Sequence, residues 1–439
     1  MIKRRKFSRI FPGWWIVLTG GFLAIMGHGF YSYGISALFK PISTELGFSR
    51  AVTSVPTAIG RLEGGIEAPL SGWLTDRFGP RWIIFFGAFW IGLALILMNF
   101  INSAWSFYIV WGVLLGTGVN IALSVPVNTA ITNWFVKKRG LALGIQWVFS
   151  ALSGTLVVPL IAWLIVAQGW RMTCVIGGIV IAAIGLPATW LSFKRHRPEY
   201  YGLLPDGAKT DEETAETHQM IDRGIKYAGE VGEIEFTLGQ AIRTRSYWLL
   251  ISANVFNGLI MAAINVHTIP FLTDIGIDPI KAATMMAIMV GSGIPARLLG
   301  GIMGDRVKRS HLRFVIAGGY LMQAVGFALY LLNRAEGMIY VWFVLYGIGM
   351  GLAIVLFPMI VGRYFGRKAF GSILGTKQLF QAPFSMAAPI IAGFVYDKTG
   401  TYMNVFAIFT ISLAIAVFIM SLAIPPKTPA KITGVDKIV

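Results

Sequence analysis

The ten residues GWLTDRFGPR at 72–81 return in degraded form as GIMGDRVKRS at 301–310, and each copy closes a long apolar run. Gly72, Asp76 and Arg77 correspond to Gly301, Asp305 and Arg306. The same Gly–Asp–Arg loop at the mouth of two apolar helices reads as a duplicated membrane bundle. Duplicated bundles carry their site at the midplane, where the two halves meet. The motif therefore points to transport.

Composition agrees. Apolar residues make up 56% of the 439-residue chain and charged residues 13%, against about 25% charged in an ordinary soluble domain. The charges lie in short segments between twelve apolar runs, centred near residues 26, 62, 92, 117, 152, 181, 259, 291, 322, 350, 383 and 413. Each run is long enough to cross the ~30 Å of hydrocarbon in a bilayer. The expected fold is an all-α membrane protein, with twelve transmembrane helices in two six-helix pseudo-symmetric bundles.

The net charge of +17 needs a place, and its distribution supplies one. With the N-terminus inside, the inner segments hold 28 of the 37 Lys and Arg, among them Lys3, Arg4, Arg5, Lys6 and Arg9, then Lys137, Lys138 and Arg139. The outer segments hold six: Lys40, Arg50, Arg171, Lys281, Arg334 and Lys398. This asymmetry puts both termini in the cytoplasm by the positive-inside rule. The cations are scattered over loop ends and do not gather on one face, so no nucleic-acid partner is expected. Cys174 is the one cysteine, which excludes a disulfide framework and a thiolate metal cluster. The start MIKRRKFSRIFPGWW has the basic flavour of a signal peptide. The apolar run behind it continues to about Ile42 without a small-residue cleavage site, so it is expected to stay as the first helix.

Three parts follow: residues 1–193 as an N-terminal six-helix bundle, 194–245 as a cytoplasmic linker, and 246–439 as a C-terminal six-helix bundle with a short tail. The linker carries the acidic stretch DEETAE (211–216) and is too polar to cross the membrane. Within it FTLGQAIRTRSYW (236–248) has helical spacing at Leu238, Ala241 and Ile242, which reads as a short amphipathic helix on the inner surface. The duplication extends further. GTGVNIALSVP (116–126) parallels GIGMGLAIVLFP (347–358), and WFVKKRGLALGI (134–145) parallels YFGRKAFGSILG (364–375). Glycines at alternate positions let membrane helices approach closely.

Ionisable residues inside the hydrocarbon are the sharper clue, since each costs about 2.5–3.5 kcal/mol or more at a helix centre. Arg297 lies eight residues before Asp305, about 12 Å from the inner surface. Its planar fork suits a carboxylate bidentately; pairing with a helix carbonyl or with Glu63 is the plainer alternative. Lys377 lies nine residues past Lys368, again about midway, and would bind a second carboxylate or balance charge in an empty site. Glu63 and Glu67 are four apart on one helix face, whereas Arg61 and Glu63 do not share a face. Buried carboxylates are natural proton carriers, and His28 is a further candidate because imidazole titrates near neutral pH. A packing role is the plain alternative for all three. No phosphate-binding loop, His/Cys metal spacing or nucleophile elbow is present, so neither an enzyme nor ATP-driven transport is expected, and no cofactor.

The Gly–Asp–Arg loops, the six-plus-six arrangement and the central linker resemble the major facilitator superfamily across essentially the whole chain. PGWWIV (12–17), YSYGISALFKPI (31–42), WFVKKRGLALGI and FTLGQAIRTRSYW resemble its monocarboxylate transporter and oxalate/formate exchanger branch. The resemblance implies secondary transport of a small organic carboxylate by a monomer in the cytoplasmic membrane, with proton symport or anion exchange. It implies a substrate-anion anchor at Arg297, a lysine of the exchangers falling at the register of Gln381, one turn from Lys377, and Tyr33 near a cation site of the animal carriers. The aspartate that animal members carry four residues before the anchor is Gly293 here, so that pairing does not carry over. The resemblance also implies that Asp76, Arg77, Asp305 and Arg306 bond to neighbouring helix ends and hold the inner side closed, rather than merely setting topology. A polyspecific drug exporter and a non-transporting membrane sensor are the alternatives.

The charge asymmetry yields a first test. A cysteine at position 210, in a Cys174→Ser background, should react with an impermeant maleimide only after the inner face is exposed. Labelling from outside intact cells would invert the topology.

Overall fold

A computed structural model of the chain describes residues 10–48, 50–208, 217–230 and 233–427. The basic cluster from Lys3 to Arg9, the stretch 211–216 with Thr210, and the tail around Pro429 lie outside the described residues, as does the side chain of Arg61. All described elements are helical, and they form the two six-helix bundles. Span one runs through Gly13–His28, Gly29–Tyr33 and Ile35–Leu46, span two is Arg50–Phe78, and span three begins as Pro80–Leu97. Span four passes from Ala104–Phe107 through two wider turns to Val125–Trp134. A helical stretch of 54 residues, Arg139–Ser192, supplies spans five and six. It is broken at Gly169, whose φ of 79° ends one helix and turns the chain into the next. Spans seven to twelve are Arg245–Asp274, Pro279–Arg306, Leu312–Leu332, Glu336–Phe365, Phe370–Thr399 and Met403–Ser421.

Length and apolarity alone select ten of these stretches, because spans five and six count as one and span two falls short. The chain between the bundles lies at the end of the molecule where spans two, four, eight and ten meet it, here called the linker face.

Two expectations are refined. The Gly–Asp–Arg motifs are not loops. Asp76 and Arg77 lie in the last turn of span two, and Asp305 and Arg306 in the last turn of span eight. No Gly or Pro stands between Asp76 and Gly79, where φ reaches 84° and Pro80 starts span three. The helix expected within 236–248 is confined to Leu238–Ile242. The Thr237 hydroxyl caps it by accepting from the Gln240 amide, and Thr244 then caps span seven by accepting from the Tyr247 amide.

The duplicated glycines hold the bundles together at the linker face. A Cβ on Gly72 would stand 2.1 Å from the carbonyl oxygen of Gly371, and one on Gly301 would stand 2.2 Å from that of Gly140. Spans two and eleven meet at the first pair, and spans five and eight at the second. One turn further in, a Cβ on Gly375 would meet the Ala68 carbonyl at 2.2 Å and one on Gly144 the Arg297 carbonyl at 2.7 Å. These are contacts of backbone on backbone, with no flexible side chain to yield.

Gly72→Ala and Gly301→Ala should therefore each destabilise the protein, by about 1–3 kcal/mol as overpacking does, seen as a lower melting temperature. Gly318→Ala is the control, since nothing lies within 4 Å of its Cβ position. Equal melting temperatures for all three variants would mean that the close approach carries no energy.

Candidate functional site

The midplane residue with the most demanding surroundings is Arg297 in span eight, nine residues before that helix ends at Arg306. It is only 4% exposed. Its Nη1 donates to the carbonyl oxygen of Trp147 at 3.0 Å, and Trp147 belongs to span five, so this bond crosses between the bundles. Its Nε is buried without a hydrogen-bond partner, and no described carboxylate forms an ion pair with it. The helix-carbonyl partner anticipated for Arg297 is thus present, and the Glu63 partner is not. Tyr33 of span one packs its ring beside Gly154 of span five.

Lys377 in span eleven is half-buried, with its Nζ 5.2 Å from the centroid of the Phe357 ring in span ten. Gln381, one turn on, is buried against span seven. A Cβ on Gly258 would meet its Nε2 at 2.0 Å, and its Oε1 has no partner. The two side chains share a face of span eleven yet touch different neighbours.

A second polar group lies inside the first bundle. Thr117 of span four donates to Glu67 Oε1 at 2.7 Å, and Asn120 donates to the Gly60 carbonyl at 2.8 Å. Glu63 Oε2 and the Tyr31 hydroxyl converge on Gly116, whose absent Cβ would stand 3.1 Å from the first and 3.2 Å from the second. The Oε2 atoms of Glu63 and Glu67 are both buried without a hydrogen-bond partner. His28 stands apart from this group, with Nδ1 3.3 Å from the hydroxyl of Ser32 one turn on.

The linker face is closed by two carboxylates that reach across the bundle interface. Asp76 at the end of span two accepts from the amides of Gly371 at 3.0 Å and Ser372 at 2.7 Å, and from the Ser372 hydroxyl at 2.6 Å. Asp305 at the end of span eight accepts from the amides of Gly140 at 2.7 Å and Leu141 at 2.9 Å. Spans five and eleven begin at Arg139 and Phe370, so each aspartate caps the first turn of a helix in the other bundle. First-turn amides lack intrahelical partners and carry the positive end of the helix dipole, which favours an anion there. The partnering arginines of the motif do something else. Arg77 is exposed, with its guanidinium 5.2 Å from the Trp73 ring and 5.6 Å from Phe78, and Arg306 is exposed with no ion pair to a described carboxylate.

Sequence reading missed a third feature of this face. Arg139 at the start of span five and Arg367 in the turn before span eleven are both buried. Glu233 of the linker accepts from Arg139 Nη2 at 2.7 Å and from Arg367 Nε at 3.1 Å. Glu199, also of the linker, accepts from Arg367 Nη1 at 2.9 Å. Burial alone would raise the Glu233 carboxyl, but the two guanidinium groups outweigh it and hold it below the ordinary carboxylate range. Isolated glutamates in a polar segment give no periodic signal, so nothing in the sequence marked them.

The pattern is not confined to this chain. A model of the Major Facilitator Superfamily matches residues 18–383. Monocarboxylate transporter 2 of Mesocricetus auratus is 23% identical over 403 residues, covering 89% of this chain and 80% of that one. Monocarboxylate transporter 13 of Rattus norvegicus is 25% identical, over 90% and 85%. The uncharacterized MFS-type transporter YcxA of Bacillus subtilis is 23% identical, over 95% and 97%. Among solved structures, the proton:xylose symporter XylE superposes with a TM-score of 0.69 at 14% identity, covering 93% of this chain and 95% of the other.

Proposed function

This chain belongs to the major facilitator superfamily, a membrane transporter and not an enzyme, and from that premise we propose that it carries a small organic carboxylate across the cytoplasmic membrane by alternating access. The linker face is the cytoplasmic side, both termini lie there, and the monomer is the working unit. Arg297 carries this reading. It is a buried cation near the midplane with no carboxylate partner, a free Nε and one bond to a carbonyl of the opposite bundle. An uncompensated charge in such a place is costly, and a bound carboxylate offers it a charge-assisted, forked contact. Similarity to proteins named monocarboxylate transporters supports the same class. Lys377, Gln381 and Tyr33 are proposed to complete the binding region.

The cycle follows from the two capping aspartates. Closure at the cytoplasmic side requires Asp76 and Asp305 to reach the amides of spans eleven and five. Opening requires those bonds to break together as the bundles rock. The Arg297–Trp147 bond joins the same two helices, spans eight and five, that Asp305 joins. A substrate drawing the guanidinium toward itself therefore competes with a bond that helps hold the bundles together. Glu63 and Glu67 are proposed as the coupling group. Two neighbouring buried carboxylates, each with an unpartnered oxygen, can hold one proton between cycles, and His28 is the alternative carrier.

Labelled lactate, pyruvate, acetate, formate and oxalate, tested for uptake and counterflow in proteoliposomes, should identify at least one transported anion. Arg297→Gln should weaken its binding by well over tenfold, about 2–5 kcal/mol by analogy with truncated buried charge pairs, while insertion stays normal. Arg297→Lys should rescue little because the ammonium loses the fork. A Gln variant that transports normally would remove Arg297 from the site.

Uptake should also rise as external pH falls, and Glu63→Gln should flatten that response. Wild-type uptake independent of pH would exclude proton coupling at this pair and favour anion exchange.

A further inference from the structure

We propose that Glu233 is a positioning residue of the transport cycle: a linker carboxylate that ties the bundles at the cytoplasmic face by pairing Arg139 of one with Arg367 of the other, so that its release is a step in opening. The inference rests on the alternating-access reading above and adds the linker as a working part of the gate.

The linker is seated on both bundles. Asp206 accepts from the amides of Val136 at 3.2 Å, Lys137 at 2.8 Å and Lys138 at 3.0 Å, and from the Tyr227 hydroxyl at 3.1 Å. Among the described residues it is the one non-glycine position with positive φ, at 61°, a conformation that persists only where surrounding contacts enforce it. The helix Thr217–Gly229 packs back on the same region, since a Cβ on Gly224 would stand 2.4 Å from the side chain of Glu199. Up to Glu230 the linker thus rides on the turn before span five, except that Glu199 reaches Arg367 of the second bundle. Beyond Glu233 it rides on the second bundle: the Phe236 amide donates to the Phe365 carbonyl at 2.9 Å, and the two rings meet edge to face at 5.5 Å.

The charge cluster sits where the linker changes bundles. Arg139, Arg367, Glu199 and Glu233 have side chains no more than 3% exposed, two cations against two anions. Arg367 also donates to the Asn133 carbonyl of the first bundle at 3.1 Å. Separation of the bundles at this face cannot spare the cluster. If Glu233 follows Arg367, it leaves Arg139, and if it stays with Arg139, it leaves Arg367. Buried ion pairs depend on every member being matched, because an unpaired buried charge is strongly disfavoured. A neutral side chain at 233 leaves a net positive charge in the closed cluster and none of the same penalty in the open, hydrated one. Closure is what such a change weakens. The neighbouring Lys137–Glu230 pair is different, with side chains 42% and 56% exposed, and exposed pairs contribute little.

The test reads the gate directly and needs no knowledge of the substrate. Spin labels at positions 138 and 308, one exposed lysine in each bundle, are placed in a Cys174→Ser background, and their separation is measured by pulsed dipolar spectroscopy in nanodiscs. Wild type should give mainly the short distance. Glu233→Gln should raise the long-distance fraction by about threefold or more, the size of shift that a modest change in a two-state balance produces, and Glu230→Gln should leave it unchanged. Should Glu233→Gln fold poorly, Arg139→Gln combined with Glu233→Gln leaves Arg367 matched by Glu199 and should show the same shift. Asp76→Asn supplies the comparison. If Asp76→Asn separates the labels and neither Glu233 variant does, the linker tie is overturned while alternating access stands. If no variant, Asp76→Asn included, separates them, closure at this face is not what these groups control, and both readings fall. A lower melting temperature with unchanged distances would reduce Glu233 to a structural ion and overturn the proposal.

Discussion

The first turns of spans five and eleven are buried where the bundles meet, and their amides have no partner within their own helices. That single constraint organises the linker face. A buried amide without an acceptor costs about 1–3 kcal/mol. Asp76 and Asp305 satisfy the amides from the opposite bundle, with distances between 2.7 and 3.0 Å. The glycines make this reach possible. Without a Cβ at Gly72, Gly140, Gly301 or Gly371, the paired backbones come close enough for a side chain as short as aspartate to bridge them. Packing and electrostatics therefore act at the same two crossings.

Arg297 is joined to this face through one helix pair. Span eight presents Asp305 to span five at its end and Arg297 to span five further in, and the Gly144–Arg297 approach lies between these levels. The guanidinium and the capping carboxylate stand less than three turns apart along span eight. The first bundle has no arginine in the corresponding place in span two; there the chain carries Glu63 and Glu67, facing Thr117 and Tyr31. The pseudo-symmetry of the scaffold is kept at the linker face and abandoned at the midplane, where one bundle offers a cation and the other offers carboxylates.

Much of this was legible in the sequence, for identifiable reasons. Twelve apolar runs and a motif repeated with its Gly, Asp and Arg in register are long-range regularities, and they survive without any knowledge of packing. The bounds of the motif were less legible, since an aspartate in a last helical turn and one in a loop look alike until Gly79 shows where the turn falls. Arg297 stood out because charge in an apolar run is conspicuous. Its partner did not, because the Trp147 carbonyl is main chain and carries no residue identity. The Glu233 and Glu199 cluster was hidden for the opposite reason: glutamates in a polar linker are ordinary, and only the fold buries them against Arg139 and Arg367.

The capping bonds have an unequal division between side chain and main chain. On the acceptor side everything hangs on two carboxylates. On the donor side most of what is offered is peptide N–H, which every amino acid except proline supplies. Beyond the glycine that each crossing requires, the segments opening spans five and eleven are thus free to diverge in sequence while the contact endures, as Leu141 and Ser372 already do. A lineage of such proteins could alter the chemistry around those helix starts, and with it the speed of the cycle, without having to reinvent the joint.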